Sequence, residues 1–187
     1  MLTKDEARIV KNLQEKKNPD KAFNELVDLY KERLYWHIRN MVKNHEDAND
    51  LLQNTFIKIF RYIHNFKGES KLYSWMYRIA TNETITFLNK KAKRLKLSSQ
   101  ELQDFLVNNL ESDAHFEGDK IQLLLQKAIA TLPEKQQQVF NMKYFQQLKY
   151  KEIAEILEVS EGALKSNYHH AVKKVEKFVK EHQTFHD

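Results

Sequence analysis

The sequence predicts an all-α protein made of two small helical domains, and three observations favour this class. Along most of the chain, apolar residues recur three or four positions apart, the spacing that places them on one face of a helix. The 187 residues include only 3 glycines and 2 prolines, too few for most β architectures, dinucleotide folds or phosphate-binding loops. Because the chain has no cysteine, disulfide frameworks, thiolate nucleophiles and thiolate zinc sites are excluded.

The first predicted domain comprises residues 1–96 and is a bundle of four helices. Its second helix begins with Asn18 as the N-cap and Pro19 at the first helical position. Small polar residues around Gly68 separate the third helix from a long fourth one. The four predicted helices span residues 3–16, 19–43, 46–63 and 71–93.

The second predicted domain comprises residues 121–187. Thr131 and Glu134 have the spacing of a capping box, which predicts that a helix begins there. Further along, a short helix and a tight turn ending in Ser160, an N-cap residue, lead into a long final helix, a succession typical of a helix-turn-helix. The predicted helices of this domain span residues 134–146, 150–157 and 161–182.

The charge is distributed unevenly, although the net charge of the whole chain is only +5. Residues 51–97 carry ten basic and two acidic side chains, whereas residues 98–119 carry six acidic and no basic ones. Residues 120–187 are basic again, with eleven basic against eight acidic side chains. This pattern predicts two polyanion-binding units, with residues 97–120 as an acidic linker between them.

The long helix of the predicted helix-turn-helix has a polar face opposite its apolar one. Side chains of this kind suit the phosphates and base edges of a DNA major groove. The same pattern also fits an ordinary amphipathic helical hairpin, so both interpretations of this segment stay open. The candidate DNA-contacting residues are Lys165, Ser166, Asn167, His169, His170 and Lys173.

Three stretches, in this order, resemble the small two-domain RNA polymerase sigma factors of the extracytoplasmic-function (ECF) group. The first, DANDLLQNTF at residues 47–56, is similar to the helix with which that family docks on the polymerase clamp. The second, FKG at 66–68 followed by WMYRIATN at 75–82, is similar to the helix that opens the minus-ten promoter element. The third, Leu132-Pro133 with the helix-turn-helix, resembles the reader of the minus-thirty-five element.

The resemblance implies a role for residues at the matching positions. Aromatic faces and cations are expected in the second stretch because they hold an opened strand, and the helix-turn-helix residues named above are assigned to the minus-thirty-five element. The residues implied to contact core polymerase are Asp47, Asp50, Leu51, Gln53 and Phe56. The residues implied to contact minus-ten DNA are Phe66, Lys67, Trp75, Tyr77, Arg78, Asn82, Lys90 and Lys91.

The resemblance also implies what the protein works with. Its expected partners are core RNA polymerase, promoter DNA and an anti-sigma factor. We do not expect the protein to be an enzyme, because the polymerase performs the chemistry. For the same reason we expect it to have no cofactor, no metal and no catalytic residue. The chain has no long apolar run, so we expect a cytoplasmic protein without direct membrane insertion.

Some positions depart from the family pattern. Asn49 and Asn54 stand where glutamate is usual, which removes two charges from the docking helix. Asn167 and His170 stand where arginine is frequent. Because asparagine pairs with adenine and arginine with guanine, we expect Asn167 or His169 to read a base, and the upstream element to be of a less guanine-rich sort.

The same resemblance also implies a role for the acidic linker. In the family, this segment threads toward the RNA path of the polymerase. The six carboxylates of residues 98–119 then resemble a nucleic-acid mimic in a basic channel. A solvated linker without that role is the alternative.

Metal catalysis is one other class that parts of the sequence suggest. Residues 45–50 contain one His, one Glu and two Asp, and His182 and His186 have the spacing of a metal pair on a helix. However, position 183 is Gln, where the zinc-hydrolase motif has Glu. The sequence therefore disfavours a metalloenzyme.

A helix-turn-helix regulator that acts without being a polymerase subunit is the closer alternative. Such a protein would bind a duplex operator and would have no use for a strand-opening helix. The aromatic and basic residues around Trp75 and the row formed by Asp50 and Gln53 argue against it.

Overall fold

The computed structural model describes residues 2–110, 113 and 119–182. These residues form helices and connecting turns, with no strand among them, which confirms the predicted all-α class. In chain order the helices are α1 (Lys4–Gln14), α2 (Pro19–Val42), α3 (His45–Tyr62), α4 (Leu72–Leu95), α5 (Ser99–Leu110), α6 (Lys120–Ala130), α7 (Glu134–Tyr144), α8 (Tyr150–Leu157) and α9 (Glu161–His182).

Helices α1 to α4 pack together as the predicted first bundle. Its centre contains Leu26, Leu34 and Ile38 of α2, with Ile59 of α3 and Met76 of α4, all fully buried. These residues recur at the three- and four-residue spacings that predicted the helices, so each amphipathic face is buried as expected.

The ends of these helices follow local capping rules, and the caps of α1 and α3 were not among those predicted from the sequence. Thr3 and Glu6 form a reciprocal capping box at the start of α1. Asn44 begins α3, since its side-chain oxygen accepts the Asp47 N–H at 2.8 Å. Between α3 and α4, Gly68 has a φ of +75°, a left-handed conformation that glycine adopts without steric cost.

Two predicted caps are different in the structure. Pro19 is at the first helical position of α2 as predicted, but Asn18 is in the left-handed region and its side chain makes no capping hydrogen bond. Thr131 ends α6, where its hydroxyl donates to the Ala128 carbonyl at 2.7 Å. Pro133 is the residue before α7, so the predicted capping box does not form.

The segment predicted as a linker contains a regular helix. Leu102, Leu106, Val107 and Leu110 of α5 are buried, and α5 packs against α6. Residues 97–120, predicted as an acidic linker, thus include the helix α5. Residues 111–112 and 114–118 lie outside the described residues.

Helices α6 to α9 have a core of their own and also share one with the first bundle. Ala128, Leu132, Phe140 and Ala171 belong to a separate buried cluster. By contrast, Met142, Ile153, Ile156 and other residues of α7 and α8 belong to the same cluster as the first bundle. The two units are thus packed against each other, mainly through α8 on α4 and α7 on α2.

Polar contacts with the first bundle reinforce this packing. Arg39 pairs with Asp113 at 2.8 Å, and only 6% and 7% of the two side chains is exposed. The Asp113 carboxylate also accepts the His45 N–H at 3.2 Å. Lys43 donates to the Gln126 side-chain oxygen at 2.6 Å, and burial lowers the pKa of Lys43 to about 8. Arg39 and Lys43 of the first bundle therefore keep these partners only while the two units are packed together.

Candidate functional site

The outer side of α3 presents a continuous exposed row, which we call the α3 face. It consists of Asp50, Gln53, Asn54, Ile57 and Phe60, all of them exposed. Ile57 and Phe60 are the apolar members of this row, and they are 55% and 45% exposed to solvent, respectively. An acidic and amide row that continues into exposed apolar groups is suited to a protein partner.

Three of the residues predicted to contact polymerase do not belong to the α3 face. Leu51 and Phe56 are in the buried core of the first bundle, so they support the α3 face from behind. Asp47 forms an ion pair with Lys91 of α4, with 2.5 Å between Asp47 Oδ2 and Lys91 Nζ. A residue predicted to bind polymerase and one predicted to bind DNA are therefore bound to each other.

The sequence reasoning missed Ile57 and Phe60. Neither belongs to the set of apolar residues at helical spacing that predicted α3, and no role was assigned to either of them. The signal that could have found them is their register: Ile57 lies three and four positions from the exposed Asn54 and Gln53, and not on the face of the buried Ile59.

Helix α4 carries most of the residues predicted to contact minus-ten DNA. Lys67, Asn82 and Lys90 are exposed. Trp75 is half-buried, and its ring lies 5.5 Å from that of Phe66, measured between centroids. Phe66 itself is buried. Part of the Trp75 surface is thus open to solvent, while the buried Phe66 packs against it.

Tyr77 does not offer the aromatic face that the sequence predicted. It is 1% exposed, and its hydroxyl donates to the Arg33 carbonyl at 3.3 Å. The α4 face that packs on α2 includes position 77, so the ring is part of the core. The nearby Tyr73 is partly buried and lies against that ring edge-on.

Ion pairs between α4 and α8 occupy two cations of the first unit. Arg78, predicted to bind DNA, pairs with Glu158 at 2.7 Å, and Lys71 pairs with Glu152 at 2.8 Å. Burial alone would raise the pKa of Glu152, but hydrogen bonds with Lys71 and Tyr73 lower it to about 2. In the packed arrangement, Lys71 and Arg78 are thus neutralised by the second unit.

The second unit contains the predicted helix-turn-helix. Glu158 ends α8 in the left-handed region, and the Ser160 hydroxyl accepts the Ala163 N–H at 3.2 Å where α9 begins. Leu164 and Ala171 fix one side of α9 in the core. The exposed residues on the other side are Lys165, Ser166, His169, His170 and Lys173.

Asn167 and Lys165 differ from the other residues of this exposed set in their contacts. Asn167 is half-buried rather than exposed. The Lys165 ammonium lies 5.8 Å from the centre of the Tyr150 ring, a distance that permits a cation–π contact. Tyr150 is the first residue of α8, so this contact joins the start of α8 to the first turns of α9.

The cluster at residues 45–50 that suggested a metal does not form a metal-binding group in the described parts of the chain. No three His, Cys, Asp or Glu side chains lie close enough together there to hold an ion. His182 donates to the Phe178 carbonyl at 2.8 Å, and its predicted partner His186 is outside the described residues. Among the helices described, none combines the length and apolarity needed to cross a bilayer.

The fold and these surfaces define a class: an all-helical protein with a helix-turn-helix unit packed on a second helical bundle. Two family models match the chain. Residues 26–94 match Sigma-70 region 2, and residues 122–175 match Sigma-70, region 4.

Known proteins identify the family. The chain is 32% identical over 164 residues to the ECF RNA polymerase sigma factor SigW of Bacillus subtilis, which covers 83% of this chain and 88% of that protein. It is 27% identical over 186 residues to the RNA polymerase sigma-H factor of Pseudomonas aeruginosa, with 95% of both chains covered. The chain belongs to the ECF RNA polymerase sigma factors, as the sequence motifs predicted.

Two solved structures share the fold. One is CnrH in complex with the cytosolic domain of CnrY, with a TM-score of 0.68 at 16% identity, covering 93% of this chain and 96% of that one. The other is the sigma factor RpoE with the anti-sigma factor NepR from Bartonella quintana, with a TM-score of 0.65 at 20% identity, covering 86% and 98%.

Proposed function

We propose that this protein is a dissociable specificity subunit that binds core RNA polymerase and directs it to a defined set of promoters. The observation that carries the proposal is the presence of both sigma regions in the expected order, each with an exposed surface suited to its role. The matched families are transcription initiation factors rather than enzymes, so the polymerase performs the catalysis. The chain would act in the cytoplasm, where transcription takes place.

Core polymerase binds, in this proposal, to the α3 face. Asp50 and Gln53 supply an anionic and an amide group for a basic partner helix. Ile57 and Phe60 supply the apolar area that the sequence had assigned to Leu51 and Phe56. Exposed apolar anchors ringed by polar groups are the usual source of binding energy at protein interfaces.

The minus-ten element is bound, in this proposal, by Lys67, Trp75, Asn82 and Lys90, joined by Arg78 after it leaves Glu158. Phosphates compete with a carboxylate for the same guanidinium, so the packed arrangement and the DNA-bound one exclude each other at Arg78. We therefore assign the packed arrangement to the polymerase-free protein. Binding to DNA would then separate α8 from α4.

Removing the two carboxylates that hold α4 should strengthen DNA binding. We expect the double variant E152Q/E158Q to bind a single-stranded minus-ten oligonucleotide about threefold to fivefold more tightly. Each pair is partly exposed and contributes less than about 1 kcal/mol. Fluorescence anisotropy at low salt measures the change. E176Q, which removes one exposed carboxylate of α9, serves as the control, and an unchanged affinity of the double variant would refute the competition.

The minus-thirty-five element is read, in this proposal, by the exposed side of α9. His169 is better placed than the half-buried Asn167 to reach a base edge. Lys165, Ser166, His170 and Lys173 are assigned to phosphates or further bases. The absence of arginine on this face supports an element less rich in guanine.

Two variants of α9 should separate base reading from phosphate binding. K173A should weaken duplex binding on all sequences and lower the slope of log affinity against log salt by about 0.9. H169A should instead relax the preference at one base pair of a randomised promoter library. A library selection that H169A and N167A leave unchanged would contradict the assignment of both residues.

An anti-sigma factor is a further proposed partner. Both solved relatives with the same fold are complexes, one with the anti-sigma factor NepR and one with the cytosolic domain of CnrY. A protein that stabilises the packed arrangement of this chain would keep Arg78 and Lys71 away from DNA. Pull-down of purified chain with candidate membrane or soluble regulators tests this point.

Fewer carboxylates of residues 98–119 remain available for the proposed role of this segment as a nucleic-acid mimic. Asp113 is paired with Arg39, and the Glu101 carboxylate accepts the Ser98 N–H at 2.7 Å at the start of α5. Asp104 accepts the Gln100 side-chain N–H at 3.1 Å, and Asp119 accepts the Gln122 N–H at 2.8 Å at the start of α6, so four of the six carboxylates have structural partners. Any role in a basic channel of the polymerase would depend mainly on the remaining two, Glu111 and Glu117, which lie outside the described residues.

A further inference from the structure

Two cations of the first bundle are buried where it meets the second unit. Arg39 lies near the end of α2 and Lys43 follows the last residue of that helix, and they are only 5% and 3% exposed. Arginine and lysine are rarely buried to this extent unless a counter-ion accompanies them. Neither residue belongs to the surfaces proposed above for polymerase or DNA.

The carboxylate of Asp113 neutralises Arg39. Its Oδ2 atom lies 2.8 Å from Nη2 of Arg39 and also accepts the N–H of His45, the first residue of α3, at 3.2 Å. The positive end of a helix dipole stabilises an anion in that position. The Asp113 N–H donates to the carbonyl of Leu110, the last residue of α5, at 3.2 Å. Asp113 therefore joins the first bundle to α5, which packs on α6.

Lys43 is buried with uncharged partners. Within the described residues its ammonium donates to the Asn40 carbonyl at 3.2 Å and to the side-chain oxygen of Gln126, on α6, at 2.6 Å. Burial, together with the nearby Arg39, lowers the pKa of Lys43 to about 8, which means that its surroundings disfavour the charge. Water would solvate this ammonium once the units separated, so the charge of Lys43 opposes the packed arrangement.

Asp113 and Lys43 thus act in opposite directions on the equilibrium between packed and separated units. Removing one partner of a buried ion pair leaves the other charge buried without compensation. That is far more unfavourable than replacing both partners by apolar side chains. Loss of the Asp113 carboxylate should therefore drive Arg39 toward water and open the contact between the units, whereas loss of the Lys43 charge should favour closure.

We propose that the Asp113 carboxylate is a latch that holds the two units together, and that the buried charge of Lys43 makes this latch easier to release. A partner that draws Asp113 away from Arg39 would allow the units to separate. Separation would also break the ion pairs that hold Lys71 and Arg78 against α8. Only the later use of these two cations on DNA rests on the proposed function.

The distance between the units measures the state of the latch. Because the chain has no cysteine, R61C on α3 and K174C on α9, both at exposed positions, can carry one spin label each in the full chain. Double electron–electron resonance then gives the distribution of distances between the labels. We expect D113N to raise the ratio of separated to packed molecules about 100-fold, so that a longer distance becomes populated. An unchanged distribution in D113N overturns the latch.

Variants of the same labelled chain distinguish a latch from a general loss of stability. R39M/D113L replaces both charges by apolar side chains and should restore the packed distance. Addition of K43M to D113N should lower the ratio of separated to packed molecules about tenfold. E25Q breaks the ion pair of Glu25 with Arg8 inside the first bundle and should change nothing. Separation in R39M/D113L equal to that in D113N, or further opening by K43M, overturns the latch.

K43M in the otherwise unmodified chain keeps the test valid if D113N does not fold. It should raise the urea concentration at which the longer distance appears, and an unchanged or lower concentration overturns the role of Lys43 and with it the latch. None of these measurements uses polymerase or DNA, so their failure would leave the proposed function standing.

Discussion

I57K lowers transcription by reconstituted polymerase about thirtyfold in our account, while the melting temperature of the free protein stays unchanged. Ile57 is 55% exposed in the middle of the α3 face, between Gln53 and Phe60. A lysine there removes an apolar anchor and places a cation against a partner expected to be basic. An interface anchor of this kind contributes about 2 kcal/mol, which corresponds to the thirtyfold loss.

The measurement is affinity for core polymerase together with runoff transcription at saturating and limiting concentrations of the variant. I121K is the matched control, because Ile121 is even more exposed, at 63%, but lies on α6 in the other unit. Full polymerase binding by I57K, or an equal loss in I121K, would show that docking does not depend on the α3 face.

The second large effect is a loss of stability on acidification, and His37 causes it. This residue of α2 is fully buried and forms hydrogen bonds with Thr81 of α4 at 2.8 Å and with Gln146, which follows α7, at 2.7 Å. Burial lowers the pKa of His37 to about 4. In the unfolded chain a histidine titrates near pH 6.5.

The sign of the effect follows from proton uptake. Between about pH 6.5 and pH 4 the unfolded chain binds a proton that the folded protein does not, so the free energy of unfolding falls as the pH falls. The stabilisation is complete above about pH 6.5, and the loss reaches about 3 kcal/mol near pH 4. Glu152, with its pKa of about 2, adds a further loss only below about pH 4.5.

Urea unfolding at several values between pH 7.5 and 4.5 measures this dependence. H37Q retains a hydrogen-bonding side chain but cannot titrate, so its stability should vary less with pH than that of the unmodified protein, by an amount that grows toward pH 4.5. H64Q, at an exposed position in the turn after α3, should retain the full dependence. Parallel curves for H37Q and the unmodified protein would contradict the role of His37.

Helical periodicity predicted most of the helices because each one buries a single apolar face. It predicted α2, α3, α4 and the helix-turn-helix with ends correct to within a few residues. The pattern is weaker over α5, where leucines recur four positions apart at 102, 106 and 110 among acidic and amide residues, a spacing that suggested a short helical piece within the predicted linker. Helix caps were less predictable. Thr131 and Glu134 have the spacing of a capping box for α7, but in the structure Thr131 ends α6.

The surfaces were only partly predictable for a physical reason. Periodicity distinguishes one face of a helix from another, but it does not indicate which neighbouring helix covers a face. Tyr77, which the resemblance assigned to DNA, is therefore in the core, whereas Ile57, to which no role was assigned, is on the surface. Contacts between the units, such as Arg78 with Glu158, join positions far apart in the chain, and no local pattern contains them.

Transcription in vitro with purified core polymerase tests the central claim most directly. Core polymerase alone and core polymerase with this protein are compared on fragmented genomic DNA, and the transcript starts are mapped. Our account predicts a small set of new starts that share an upstream and a downstream element and disappear with I57K. A protein that binds duplex DNA but neither associates with core polymerase nor produces new starts would be a helix-turn-helix regulator, and the account would be wrong.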